Sequence, residues 1–283
     1  MLTYLALMRP SAASRLASVA QFGKVVESGS EGRDIAMTDL LGYRLKVGSL
    51  VPSVNSSVEP EFNAMSVPGV THLAARIRIP NQQFHSDADA QAIVDATQAD
   101  LLPCVDRLIS CNPDRIIMAM AAPCFWGGVE GSDQMQQKLE TRAGVPVLLP
   151  PDAVATALHA LVVRRIAVIS PYMPLADQHV QRWFSESGFD VAQVRGLRAH
   201  SEDEIVNFTP QQLASGFEQV DDASVEALVH VGTSIAMARL VEEFEQQFSK
   251  PVVSVNVACW WATLRAAGIT DQLAGYGQLM REH

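Results

Sequence analysis

At 283 residues, 48% of them hydrophobic and 18% charged, the chain is long enough to bury one large core or two. A formal charge of −10 and an isoelectric point near 5.1 argue against nucleic acid or an anionic membrane as partner, although a few placed donors can still hold an anionic ligand. No run approaches the ~20 apolar residues of a membrane span. The four cysteines form no Cys-x-x-Cys pair and no Cys/His cluster, which points to a reducing, cytoplasmic setting without disulfide or metal.

Residues 1–40 carry Arg9, Arg15, several serines and alanines, and no acid before Glu27, and read as an N-terminal extension. Regular organisation starts at Tyr43. Leu45–Val51 reads as a strand, Pro52–Ser57 as a polar loop, and Val58–Met65 as a helix with Glu59 and Glu61 near its positive end. Thr71–Ile79 is the next strand, Asp87–Ser110 a long helix and Asp114–Ala122 a third strand. A polar-faced helix, Gly131–Ala143, precedes a short fourth strand within Gly144–Leu149 and the helix Asp152–Leu161. The rhythm then repeats. Strands are expected at Arg165–Ser170, Asp190–Val194, Ala227–Gly232 and Pro251–Asn256, with helices at Asp177–Ser187, Glu202–Val206, Pro210–Gln219, Ala236–Phe248 and Ala258–Ala267.

The repetition extends to local sequence. VGSLVPSVNSS and IAVISPYMPLA are each an apolar strand ending at a proline before a polar loop. LETRAGVPVLLPPDAVATALHAL and FEQQFSKPVVSVNVACWWATLRAAG share the order helix, Pro-Val strand, loop, Ala-rich helix. A period near 110 residues is too long for a solenoid and fits a duplicated α/β unit: two pseudo-symmetric lobes, each a four-stranded parallel sheet flanked by helices, with a ligand cleft between them. The expected division is residues 41–150, completed by 258–283, for the first lobe and 151–257 for the second.

In open α/β sheets ligands bind beyond the carboxyl ends of the strands. There the chain offers Asn55 and Ser56; Ala121, Ala122, Pro123 and Cys124; Tyr172; Gly232, Thr233 and Ser234; and Asn256. Apart from Cys124 this is a set of neutral hydrogen-bonding groups, which can hold a carboxylate without a formal positive charge once water is removed. Cys124 follows an apolar run in RIIMAMAAPCFWGG and precedes a Gly-Gly turn, a plausible reactive corner; a small buried hydrophobe is the plainer reading. Gly127–Gly128 lacks the context of a dinucleotide or nucleotide-triphosphate loop.

VGSLVPSVNSSVEPEF, SPYMPLADQHV, VGTSIAMARLVEEFE, KPVVSVNVACWWATLRAAGI and the closing GYGQL resemble the maleate cis-trans isomerase and arylmalonate decarboxylase branch of the aspartate/glutamate racemase superfamily, from about Gly42 onward. The resemblance implies no cofactor and a small mono- or dicarboxylic acid held between the lobes, isomerised or decarboxylated; a homo-oligomer is compatible with it. It matches Asn55 to the family's carboxylate-binding asparagine and Tyr172 to its substrate-facing, catalytic tyrosine. The isomerases keep one cysteine per lobe and the decarboxylases only the second. Here the first position falls at Ala121 or Ala122, with Cys124 two or three residues on, and the second at Gly232. A further asparagine of the isomerases falls near Ser201–Glu202. Three readings remain open: thiolate addition by Cys124, proton transfer by Cys124, and chemistry without a thiol. The alternative in another class is a carboxylate-binding or regulatory protein that has lost the family cysteines.

Overall fold

The computed structural model describes residues 39–283 except 81, 82 and 84; the N-terminal extension lies, but for its last two residues, outside the described residues. Eight strands form two four-stranded sheets, each wholly parallel. The first holds β1 (Leu45–Pro52), β2 (Val70–Ile77), β3 (Arg115–Met118) and β4 (Val147–Leu148) in the order β2-β1-β3-β4. The second holds β5 (Arg165–Ser170), β6 (Asp190–Gly196), β7 (Ala227–His230) and β8 (Val252–Ser254) in the order β6-β5-β7-β8. The identical order is the structural form of the repeat. β1 and β5 are inner strands covered on both faces, so their sequences are continuously apolar instead of alternating, and only Lys46 and Arg165 among them escape burial.

The connecting helices are α1 (Val58–Ala64), α2 (Asp87–Ile109), α3 (Gly128–Ala143), α4 (Pro150–Ala160), α5 (Pro174–Glu186), α6 (Glu202–Val206), α7 (Pro210–Glu218), α8 (Val241–Phe248), α9 (Val255–Ala266) and α10 (Gln278–Glu282). One apolar cluster joins Val47, Val51, Phe62 and Ile117 of the first half to Ile166, Val168, Val229 and Trp183 of the second. Another fills the opposite face of the first sheet, between Leu50, Ile116 and Met118 and the helical residues Leu101, Val105, Leu108 and Leu139. Helix α9 is buried from Val255 to Leu264, which explains its apolar residues all round. Its Trp260 stacks on Phe62 of α1 with ring centroids 5.1 Å apart and donates from Nε1 to Met65 O at 2.7 Å. Tyr276 adds a hydroxyl bond to Ala64 O at 2.6 Å.

Several expected boundaries move, and three of the shifts bear on the strand-end loops. β3 stops at Met118, where its pairing with Leu50 of β1 ends, and the chain then coils through a 3-10 turn, Ala122–Phe125, with Pro123 near its start. The helix expected from Ala236 begins at Val241, after a second such turn at Ala238–Leu240. β8 is only three residues long, so Asn256 lies in the first turn of α9 and not at a strand end. No described helix is long and apolar enough to cross a membrane.

Candidate active site

The loop after β1 is organised by one side chain. Asn55 is buried, and its Oδ1 accepts from the backbone N–H of Ser57 and of Val58, both at 2.9 Å, satisfying donors that the start of α1 leaves free. That fixes the amide orientation, so Nδ2 points the other way and donates to Ser234 Oγ at 3.0 Å in the loop after β7. Ser57 Oγ donates to Ser234 O at 2.7 Å, and Thr233 Oγ1 donates to Ala119 O at 3.0 Å just past β3. The carboxyl ends of β1, β3 and β7 are thus joined by buried hydrogen bonds running between the two sheets.

Asn256 completes this group. Its Nδ2 donates to Thr233 O at 3.0 Å and to Glu61 Oε2 at 2.7 Å, two acceptors that settle its orientation, while its buried Oδ1 has no partner among the described residues. Glu61 Oε1 accepts from Ala238 N at 2.7 Å. Burial raises the Glu61 carboxyl pKa, and the bonds from Ala238 and Asn256 oppose the rise.

On the second sheet, Tyr172 is half-buried and held through its backbone. Its N–H donates to Ser170 Oγ at 3.0 Å, and its carbonyl accepts from Arg198 Nη1 at 2.6 Å. Ser170 Oγ and Arg198 Nη1 both donate to Asp177, each at 2.5 Å. Burial pushes the Tyr172 hydroxyl pKa well above its ordinary value, with smaller contributions from Glu202, Cys124 and Asp177.

Asn55, Thr233, Ser234 and Asn256 are therefore brought together, with Gly232 adjoining them. Ala121 and Pro123 are buried and Ala122 half-buried. Ser56 is exposed, outside the network its neighbour anchors. The Cys124 thiol is buried and bonded within its own half. The 3-10 turn after Pro123 rotates the side chain inward, where Sγ donates to Met120 O at 3.2 Å and lies 3.7 Å from Met135 Sδ. It is wholly buried in the apolar cluster beneath α2 and α3, and burial raises its pKa far above the ordinary thiol value. Burial of this kind disfavours the thiolate, which is the nucleophilic form.

At Gly232, where the resemblance would put the second cysteine, backbone geometry opposes a side chain. Gly232 has φ +122°, and a Cβ there would stand 2.6 Å from Pro171 Cδ and 2.8 Å from its Cγ. Two residues upstream, His230 is wholly buried with both ring nitrogens unpartnered among the described residues, and desolvation lowers its pKa to about 3.

Sequence reasoning gave no site role to Glu61 or Arg198, and it marked Ser201–Glu202 only as the place of an isomerase asparagine, not for the Glu202 carboxyl. The chain after β6 runs beside the loop after β5, with Leu197 N donating to Ser170 O at 2.7 Å and Ala199 N to Pro171 O at 3.0 Å. This carries the first residue of α6 toward Ser234. The Glu202 carboxyl is desolvated and its pKa raised, with the Ser234 hydroxyl partly opposing that rise; its Oε2 is buried without a partner among the described residues. In sequence, Glu202 reads as one of three acids opening a helix, which is ordinary helix-start chemistry.

The arylmalonate decarboxylase family model matches residues 47–280. A maleate isomerase of Pseudomonas putida is 26% identical over 247 residues, covering 83% of this chain and 96% of that protein. Among solved structures, a mutant of the Nocardia farcinica maleate cis-trans isomerase with a covalently bound succinylcysteine intermediate superposes with a TM-score of 0.77 at 23% identity, covering 84% of this chain and 99% of that one. A liganded mutant of arylmalonate decarboxylase gives a TM-score of 0.74 at 18% identity, covering 84% of this chain and 100% of that one.

Proposed function

The chain belongs to the arylmalonate decarboxylase family, and on that premise we propose that it is a cofactor-independent enzyme acting on a small mono- or dicarboxylic acid at the facing strand ends of its two sheets. Decarboxylation is the reaction the site's chemistry suits best. The observation that carries this reading is the buried Asn55–Ser234 bond, which ties a set of neutral donors into one dry group between the sheets. Such donors hold a carboxylate and stabilise the negative charge that grows on it when a neighbouring carboxylate leaves as carbon dioxide. In this reading Asn55, Thr233, Ser234 and Asn256 bind the acid, Ala121, Ala122 and Pro123 line an apolar wall, and Tyr172 closes the far side. Residues 41–150 with 258–283, and 151–257, are the two lobes.

Cis-trans isomerisation is the second reading, favoured by the likeness to maleate isomerases over nearly their whole length. Covalent addition of a thiol to the double bond has little support in this chain, because Cys124 is buried in the core and Gly232 cannot carry a side chain without displacing Pro171. No relative supports a purely non-catalytic binding role. Proton NMR of the pure protein incubated with malonate, methylmalonate, phenylmalonate and maleate tests both readings. Loss of one carboxyl group from a malonate is the expected result, fumarate from maleate would favour the second reading, and an inert panel would overturn both.

A further inference from the structure

A decarboxylase without a thiol at its strand ends still has to deliver a proton to carbon, and a buried carboxyl lies beside the site's donors. Glu202 enters the site from the loop after β6, and its Oε2 is buried without a partner among the described residues. Its carboxyl is near enough to the Ser234 hydroxyl for that group to oppose the rise in its pKa, and the Ser234 oxygen accepts from Asn55 Nδ2 at 3.0 Å. The Ser234 hydroxyl thus lies between Asn55 and the Glu202 carboxyl. Tyr172, across from it, is close enough to feel its charge.

The other titratable groups are placed less well. Both oxygens of Glu61 are taken up, by Ala238 N and Asn256. Asp177 is held by Ser170 and Arg198. The His200 ring sits beside His85, with centroids 5.2 Å apart. Cys124 points into the core.

We propose that Glu202 is the catalytic acid of this site, supplying the proton that replaces the departing carboxylate. This rests on the decarboxylase reading. The carbon–carbon bond to the leaving carboxylate breaks, carbon dioxide departs, and the electron pair passes through the α-carbon onto the remaining carboxylate as an enediolate held by Asn55 and Ser234. The Glu202 O–H bond then breaks, its proton forms the new C–H bond, and the carboxylate left behind takes a proton from water before the next turnover. Burial keeps Glu202 protonated to higher pH than an ordinary glutamate, and an anionic substrate beside it raises its pKa further. An ionised Glu202 would repel that substrate, so the two states of the group separate the productive from the unproductive complex.

The test compares wild type, Glu202→Gln and Glu202→Asp with phenylmalonate and with its product phenylacetate. Glu202→Gln is expected to keep the wild-type melting temperature and to bind phenylacetate at least as tightly as wild type near neutral pH while kcat falls about a thousandfold, and Glu202→Asp to retain part of the rate. Wild-type product formed in D2O should carry one deuterium at the α-carbon. Calorimetry in buffers of different ionisation enthalpy should show wild type taking up a proton on binding phenylacetate near neutral pH, and Glu202→Gln taking up none. A Glu202→Gln enzyme within threefold of wild type, or equal proton uptake by both, would overturn the assignment and leave the decarboxylase reading standing. A wild type inert toward both the malonates and maleate would overturn the reading and the assignment together.

Discussion

The loops after β3 and β7 occupy equivalent places in two sheets of identical strand order, and they have been put to opposite uses. After β3, Ala119–Phe125 is apolar apart from its backbone, and its thiol turns into the core. After β7, Gly232–Ser234 carries two hydroxyls, one donating to Ala119 O of the facing half, the other meeting Asn55 of that half and lying near Glu202 of its own. Duplication supplied the framework twice, whereas the hydrogen-bonding groups were kept mainly on one side. In the proposed reading the loop after β3 is a wall and the loop after β7 a working face, and a substitution at matching positions of the two should have unequal consequences.

The largest inequality is expected between Gly232→Cys and Ala122→Cys. The first forces a side chain into a left-handed backbone and against Pro171, and should lower stability by about 3 kcal/mol or more in urea unfolding. The second adds a side chain at a half-buried position of ordinary backbone and should cost less than about 1.5 kcal/mol. Equal costs would break the comparison.

Acid titration sharpens it next. His230, on the working face, has its pKa lowered by burial to about 3, and His72, on an edge strand of the other sheet, to about 4. Below the unfolded value near 6.5 the unfolded chain binds protons that the folded chain does not, so stability present above that pH is lost as pH falls, by up to about 1.4 kcal/mol per unit for each group. The raised carboxyls Glu61 and Glu202 act with the opposite sign and offset part of the loss. Between pH 6.5 and 5, His230→Leu should lose about 1–2 kcal/mol less than wild type does, measured by thermal unfolding across pH. His72 keeps a hydroxyl partner, with Ser49 Oγ 2.7 Å from Nε2, and its share of the acid limb should end near pH 4, about one unit before that of His230.

Asn55→Ala removes two cap bonds and the link to Ser234, and should cost about 2 kcal/mol of stability together with about a hundredfold in turnover. Thermal unfolding and steady-state kinetics read the two effects separately, and an active variant would remove Asn55 from the site. Cys124→Ala should have the smallest effect: about 1 kcal/mol of stability for a vacated core position, with turnover within threefold of wild type. Abolished turnover in a folded Cys124→Ala protein would restore the thiol to the mechanism and end the wall-and-face distinction.

Much of the architecture is legible along the chain because it is local. The continuous apolar runs of β1 and β5, the proline that ends each, the polar loops that follow and the long 3.6-period pattern of α2 are consequences of backbone geometry over a handful of residues. The repeat of those signals predicts the two equivalent sheets, and the loop chemistry predicts that Asn55, Thr233, Ser234 and Asn256 are worth watching. None of this says which way a side chain points once the chain leaves its strand.

Tertiary structure decided those directions. Cys124 is a strand-end thiol in sequence and a core thiol in space, because a 3-10 turn of four residues turned it inward against Met120 and Met135. Glu202 is a helix-start acid in sequence and a buried carboxyl in space, because the loop after β6 is bonded alongside the loop after β5. Asn55 meets Ser234 across 179 residues of chain, and Asn256 meets Glu61 across 195. Strand periodicity and turn chemistry are set by neighbours along the backbone, and so they can be read in order. The protonation of a carboxyl and the exposure of a thiol are set by whatever removes water from around them, and in this protein those atoms come from other elements packed against the loop.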